Sequence, residues 1–276
     1  MTTWFITGIS RGLGLALAKA ALAQGDTVIG TVRSDAPELD PGAGTLHVLS
    51  LDIADGAAVG AAVDQAFALA GTIDVIVNNA GYGLLGAVEK ATDEEAARLF
   101  AVDVFGPFRV IRAALPRLRA QGSGHIVNIT SIAGRAPGLG TALYSAAKSA
   151  LEGLSAGLAQ EVAPLGIKVT AVAPGAFRTD FLSTHSIRKS QTDDGAYAAS
   201  VGRSAAAFDT MAGRQLGDPD RAAQAIIAAV RAERPPLHLL LGTDALRRAR
   251  EKLDAVIEEM ERWEDVTRST DFPAAG

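Results

Sequence analysis

The hydrophobic positions of this chain fall into short β-branched runs separated by longer alanine-rich stretches. The runs are residues 3–7, 27–32, 45–51, 73–78, 125–130, 168–172 and 237–241. Most lack the period-two alternation of a half-exposed strand, as expected of strands buried on both faces. Between them, residues 13–23, 94–120, 143–162 and 219–232 read as helices. Strict alternation of strand and helix implies right-handed crossovers. The expected fold is therefore α/β: a single doubly wound, Rossmann-type parallel sheet of about seven strands, in one domain covering residues 1–276.

Two segments fall outside the alternation. Residues 178–217 turn polar and loop-like, and a stretch of that length inside one domain is expected to be a substrate loop or lid. Residues 243–276 form a helical extension, in which Leu246, Ala249, Leu253, Val256, Met260 and Trp263 recur at spacings of three and four. A stripe this short is expected to pack onto the body of the protein.

Composition narrows the chemistry. The chain has 276 residues, 48% of them hydrophobic, and 26 Lys plus Arg against 31 Asp plus Glu give a net charge of −5. That balance argues against a nucleic-acid partner. Cysteine is absent, which excludes disulfides, thiolate zinc sites and a Cys nucleophile. His47, His125, His185 and His238 are scattered, so no metal is expected. The longest uncharged stretch, residues 120–134, is too short and too polar to span a membrane. No basic residue precedes the first apolar run, so no secretory signal and a cytoplasmic location are expected.

The first strand runs into Thr7-Gly8-Ile9-Ser10-Arg11-Gly12-Leu13-Gly14, which opens the first helix. Glycines there let backbone N–H groups approach a pyrophosphate, and the helix N-terminus favours its charge. Gly8 to Gly12 also spells the G-x-S-x-G of a hydrolase elbow, with Ser10 as nucleophile. An oxyanion hole there draws an N–H from an earlier strand's loop, and only the first strand precedes Ser10. At the end of the second strand, Thr31-Val32-Arg33-Ser34 carries no carboxylate before Asp35. An acid would hold the 2′-hydroxyl of NAD, whereas Arg accommodates the 2′-phosphate of NADP. Arg33 and Arg11 together favour NADP(H) over NAD(H).

Tyr144 and Lys148 lie four apart on one helix face, where an ammonium is expected to pull the phenol pKa down from about 10. Thirteen residues earlier, Ser131 ends a strand, where its hydroxyl could hold a substrate oxygen as charge develops. Thr130 beside it is expected to face the other way.

These motifs together resemble the short-chain dehydrogenase/reductase family. They are the Thr-Gly-x-x-x-Gly-x-Gly loop at 7–14, Asn-Asn-Ala-Gly at 78–81, Ser131, Tyr144-x-x-x-Lys148, and Pro174-Gly175, all in family order. Arg33, residues 173–179 and the long extension look closest to a hydroxysteroid-dehydrogenase-like bacterial branch.

The resemblance implies roles. Tyr144 exchanges a proton with the substrate oxygen, Lys148 binds the nicotinamide ribose and tunes Tyr144, and Ser131 polarises the carbonyl. Gly8, Ser10, Arg11, Gly12, Leu13 and Gly14 hold the phosphates. Asp52 and Ile53 meet the adenine, Asn78, Asn79, Ala80 and Gly81 line the cofactor side, and Pro174, Gly175, Phe177 and Thr179 cover the nicotinamide. Where the family usually has Asn in a proton relay, this chain has Asp103, counted here with the catalytic group. The implied reaction interconverts a secondary alcohol and a ketone with NADP(H), in a homo-dimer or homo-tetramer. Tyr82, Leu84, Leu85, Phe177, Phe181, Leu182 and Tyr197 suggest a lipophilic substrate pocket. Two other readings stay open: a catalytically silent dinucleotide sensor, and the hydrolase at Ser10.

Overall fold

A computed structural model of the chain describes residues 1–34, 36–182, 186–190 and 195–272. The N-terminal half runs β1 (Thr3–Ile6), α1 (Gly12–Ala23), β2 (Thr27–Val32), β3 (Thr45–Ser50), α2 (Gly56–Ala70), β4 (Val75–Asn78), β5 (Gly83–Leu85), α3 (Asp93–Phe100) and α4 (Gly106–Gln121). It continues through β6 (Gly124–Ile129), α5 (Ala142–Val162), β7 (Ile167–Pro174), β8 (Ile187–Lys189), α6 (Arg203–Met211), α7 (Pro219–Arg231), β9 (His238–Leu241), α8 (Thr243–Arg262) and α9 (Glu264–Arg268). Seven strands form one sheet in the order β3-β2-β1-β4-β6-β7-β9, all neighbours parallel. These are the seven runs expected from the sequence. β5 and β8 pair separately as a short parallel ribbon.

Burial on both faces explains the missing alternation. Along β1, Trp4 and Ile6 enter the core under α1 and α7, while Phe5 enters the opposite core under α2, α4 and α5. Along β4, Val75 and Val77 go one way and Ile76 the other. Each fully buried side chain of this size contributes about 1.5–3 kcal/mol, so two cores hold every central strand from both sides. The Trp4 indole N–H donates to Asp26 at 3.0 Å, and Asp26 pairs with Arg231 at 2.8 Å, so the polar atoms that enter this layer have partners. Strand order reverses between β1 and β4, which opens a crevice at their C-terminal ends. No helix among the described residues is long and apolar enough to cross a membrane.

Three expectations need correction. The helix expected over residues 94–120 is interrupted: α3 passes into a π-helical turn, Ala101–Phe105, before α4. That turn buries Val102 and Asp103, and such bulges recur at functional sites. The supposed loop at 178–217 contains β8 and α6. α6 buries no residue, and Phe208 and Met211 are its only large apolar side chains, too few for a sequence reading to detect. The stripe of the C-terminal extension does not pack on the body beyond its first two turns. Only Ala245 and Ala249 of α8 are buried, while Leu253 and Met260 are 61% and 66% exposed.

Candidate active site

The C-terminal ends of the central strands converge on one cavity of about 860 Å³. The glycine loop enters it from β1 and is tied down by its neighbours. Gly8 N–H donates to the Thr31 carbonyl at 3.1 Å, and Thr7 Oγ1 accepts the Asn79 and Ala80 amides at 3.0 and 3.1 Å. Gly8 and Gly12 have positive φ, where a side chain would strain the backbone. Unlike α2, α3 and α7, whose first turns are capped by Asp55, Thr92 and Asp218, α1 begins without a capping side chain or an acid. Its first N–H groups are left for an anion.

Gly8, Ser10, Arg11, Gly12, Leu13, Arg33, Asp52, Ile53, Asn79, Ala80, Gly81, Pro174, Gly175, Phe177 and Thr179 all line this cavity. Two glycine-motif neighbours do other work. Gly14 faces Asn79 and the Gly8 carbonyl at a distance no Cβ could share, so its bareness serves packing. Asn78 is buried and donates to Asn128 at 2.8 Å, clamping β4 to β6. Asp52 pairs with Arg98 at 3.0 Å and accepts the Ala54 amide at 3.0 Å. Burial works upward on its carboxyl, but Ala54, Arg98 and Arg33 outweigh it and hold the pKa below the ordinary value.

The expected catalytic group assembles on α5 and the end of β6. Ser131, Tyr144 and Lys148 share the cavity wall. Ser131 Oγ accepts the Ala133 amide at 3.1 Å, which leaves its own proton to donate outward. The Thr130 hydroxyl is engaged elsewhere, donating to the Val172 carbonyl at 2.8 Å and contacting Glu152. The Lys148 ammonium sits 5.7 Å from the Tyr144 ring centre and donates to the Ile129 carbonyl at 3.2 Å.

The electrostatics correct the expected phenol. Burial raises the Tyr144 pKa; Lys148 opposes it, Asp103 reinforces it, and the Ser131 hydroxyl draws it down by less. The net direction is upward, so Tyr144 is held as a neutral phenol. Burial pushes the Lys148 pKa down, but Asp103, Tyr144 and Glu152 outweigh it, and the pKa is raised.

Asp103, counted with the catalytic group on sequence grounds, is fully buried and does not line the cavity, so it reaches the site through the groups it touches. Its carboxylate lies 3.1 Å from Lys148 Nζ and accepts the Tyr82 amide at 3.1 Å. Gly81 is bare where Asp103 approaches.

On the substrate side, Tyr82, Leu85, Phe177 and Phe181 line the cavity as expected, but Leu84 and Tyr197 do not. Leu84 points into the cluster behind Tyr144, because alternation along β5 sends it opposite to Leu85. The Tyr197 hydroxyl donates to Glu89 at 2.5 Å instead. The side chain of Leu182 lies outside the described residues, as do Asp35 and His185. Leu139, Phe208 and Met211 complete the apolar wall and carried no motif. Glu152, one helical turn past Lys148, also went unmarked. It pairs with Arg135 at 3.0 Å and braces Thr130 behind the site. None of the described histidines shares the cavity with Ser10. His125 is buried against Thr170 at 2.8 Å, and burial, aided by Lys168, lowers its pKa to about 4.

The short chain dehydrogenase family matches residues 2–190. Over 268 residues the chain is 37% identical to oxidoreductase BOA17 of Botryotinia fuckeliana, covering 96% of this chain and 97% of that one. It is 35% identical to a 3-ketodihydrosphingosine reductase of Bacteroides thetaiotaomicron, covering 86% of each. A crystal structure of a short-chain dehydrogenase from Streptomyces avermitilis superposes with a TM-score of 0.88 at 43% identity, covering 98% of both chains. The chain belongs to the short-chain dehydrogenase/reductase family. It is an oxidoreductase acting on CH–OH groups.

Proposed function

We propose that this protein interconverts a lipophilic ketone and its secondary alcohol using NADP(H), with Tyr144 as the acid and base. The observation that carries the reading is the Tyr144 phenol buried beside Lys148, whose ammonium lies 5.7 Å from its ring centre, in a cavity whose other half is a glycine cradle. The cradle fits a dinucleotide: the loop has no side chain at Gly8 and Gly12, the α1 N-terminus is uncapped, and Arg11 and Arg33 line the far end. These two guanidinium groups, with no carboxylate among residues 31–34, support NADP(H). A bound nicotinamide dinucleotide supplies or takes up the hydride.

The chain's own residues handle the proton. In reduction, Ser131 donates a hydrogen bond to the substrate oxygen as charge develops there. Tyr144 then gives that oxygen its proton, and burial suits it to this task by keeping the phenol protonated until the transfer. The phenolate left behind faces the Lys148 ammonium, which lowers its cost until a proton returns. The ammonium donates to the Ile129 carbonyl and lies 3.1 Å from the Asp103 carboxylate, so Lys148 is held in place on the cavity wall, where it could donate to a ribose hydroxyl. In oxidation the same groups act in reverse.

The wall of Leu85, Leu139, Phe181, Phe208 and Met211 supports an apolar substrate, and the likeness to a 3-ketodihydrosphingosine reductase supports a ketone. Mixing the protein with NADPH or NADH and a panel of ketones, and following cofactor absorbance, tests the reading. The expected result is NADPH consumption with alkyl or aryl ketones. Cofactor binding without turnover would favour a sensor, and ester cleavage without cofactor a hydrolase; either would overturn the proposal.

A further inference from the structure

The C-terminal helix leaves the body of the protein with its apolar seam uncovered. Its first two turns dock: Ala245 and Ala249 pack with Ile132 and Ala136, Asp244 accepts the Ala176 amide at 2.8 Å, and Arg248 donates to the Ala136 carbonyl. From Arg250 to Phe272 no residue is buried, and all but Val256 are exposed. Of the seventeen exposed large apolar side chains among the described residues, seven lie between Leu246 and Phe272, so the exposure is concentrated here. Leu253, Val256, Met260 and Trp263 keep the three-four spacing of a coiled-coil seam, with Ile257 beside it. An isolated helix of this length is marginal in water, and one carrying such a seam gains most from a partner.

The charges say which partner. Residues 243–253 carry four cations and two anions, whereas residues 254–262 carry one cation and four anions. That order opposes the helix's own dipole, whose N-terminal end is positive and C-terminal end negative. A second copy running antiparallel offsets both problems. It sets the Arg250 and Lys252 end of each helix beside the Glu259 and Glu264 end of the other. A parallel copy would instead bring Glu259 and Glu264 of neighbouring helices together. An anionic membrane surface is disfavoured, because residues 254–272 hold seven anions and two cations.

We infer that two copies of this chain associate through antiparallel pairing of residues 250–266, about a two-fold axis near Val256 and Ile257. The interface is isologous and closed, as a two-fold contact requires. It rests on the helix alone and is independent of the reading of the active site.

Because the chain has no cysteine, single thiols report this geometry directly. In the full-length protein, Ile257→Cys treated with a short thiol-to-thiol cross-linker is expected to give a covalent dimer, whereas Leu246→Cys and Val266→Cys are not. Equal cross-linking at all three positions would indicate parallel pairing, and none at Ile257 would indicate no such contact; both overturn the proposal. Sedimentation supplies the second arm. Leu253→Glu with Met260→Glu should lower the assembly by one step, with at least tenfold weaker self-association. Arg250→Glu with Lys252→Glu should weaken it as well, and adding Glu259→Lys with Glu264→Lys should restore it. An unchanged assembly state in the Leu253→Glu, Met260→Glu variant, or binding of the wild-type helix to neutral vesicles in place of self-association, would contradict the inference.

Discussion

In the half of the cavity that holds Gly8, Asn79 and Lys148, backbone and buried side chains fix one another. Thr7 and Asn79 tie β1 to β4, Gly81 is bare where Asp103 approaches, and Asp103 pins Lys148. In the half lined by Leu139, Phe208 and Met211, the wall belongs to surface elements. α6 buries no residue, and it is held by exposed contacts such as Lys189 to Asp209 at 2.8 Å. The first half demands particular residues because each position has one geometric solution. The second asks only for apolar bulk near an opening, which many sequences satisfy. Chemistry should therefore be brittle in the first half and substrate choice tolerant in the second.

That contrast can be broken by cutting into each half in turn. Ser131→Ala removes the hydroxyl proposed to hold the substrate oxygen beside Tyr144, and kcat should fall by about 10²-fold or more with cofactor affinity unchanged. A loss of less than about tenfold would mean that the oxygen is held elsewhere. Arg33→Ala should weaken NADPH binding by about tenfold or more and leave NADH alone, as charge-assisted contacts to a phosphate are strong. Equal weakening of both cofactors would place Arg33 outside the 2′-phosphate site.

Asp103→Asn is expected to stay within about tenfold of wild-type kcat, because the amide oxygen can still accept from Tyr82. Asp103 raises both Lys148 and Tyr144. Removing its charge should thus lower both, moving the basic limb of the pH–rate profile to lower pH. A larger loss, or a limb that moves upward, would contradict the proposal that Asp103 acts only through its neighbours. On the tolerant side, Tyr197→Phe deletes the exposed hydrogen bond from the Tyr197 hydroxyl to Glu89. It should change KM by no more than about threefold and leave kcat alone.

The same contrast governs what the sequence could disclose. The seven strands and the glycine loop were legible because burial on both faces and positive φ restrict residue type directly. Tyr144 and Lys148 were legible as a pair, but the direction of the phenol's shift was not. Four-residue spacing reports the ammonium beside Tyr144, whereas the burial that outweighs it arises from Leu84, Leu99 and Phe181, distant in the chain. Asp103 was placed in a helix but not in a π turn, since the two share one apolar pattern. Leu84 and Tyr197 were misplaced because a three-residue strand and a turn leave alternation and periodicity too few residues to register. The C-terminal stripe misled for a different reason. An apolar period looks the same whether the covering surface is the chain's own body or something outside it.

The central claim is that Tyr144 moves the proton while the rest of the cavity holds the cofactor. Tyr144→Phe keeps the ring that packs 5.9 Å from Phe181 and removes only the hydroxyl. NADPH binding to this variant, followed by fluorescence titration, should match wild type within a few-fold, while ketone reduction falls to background. Turnover within about tenfold of wild type would contradict the account.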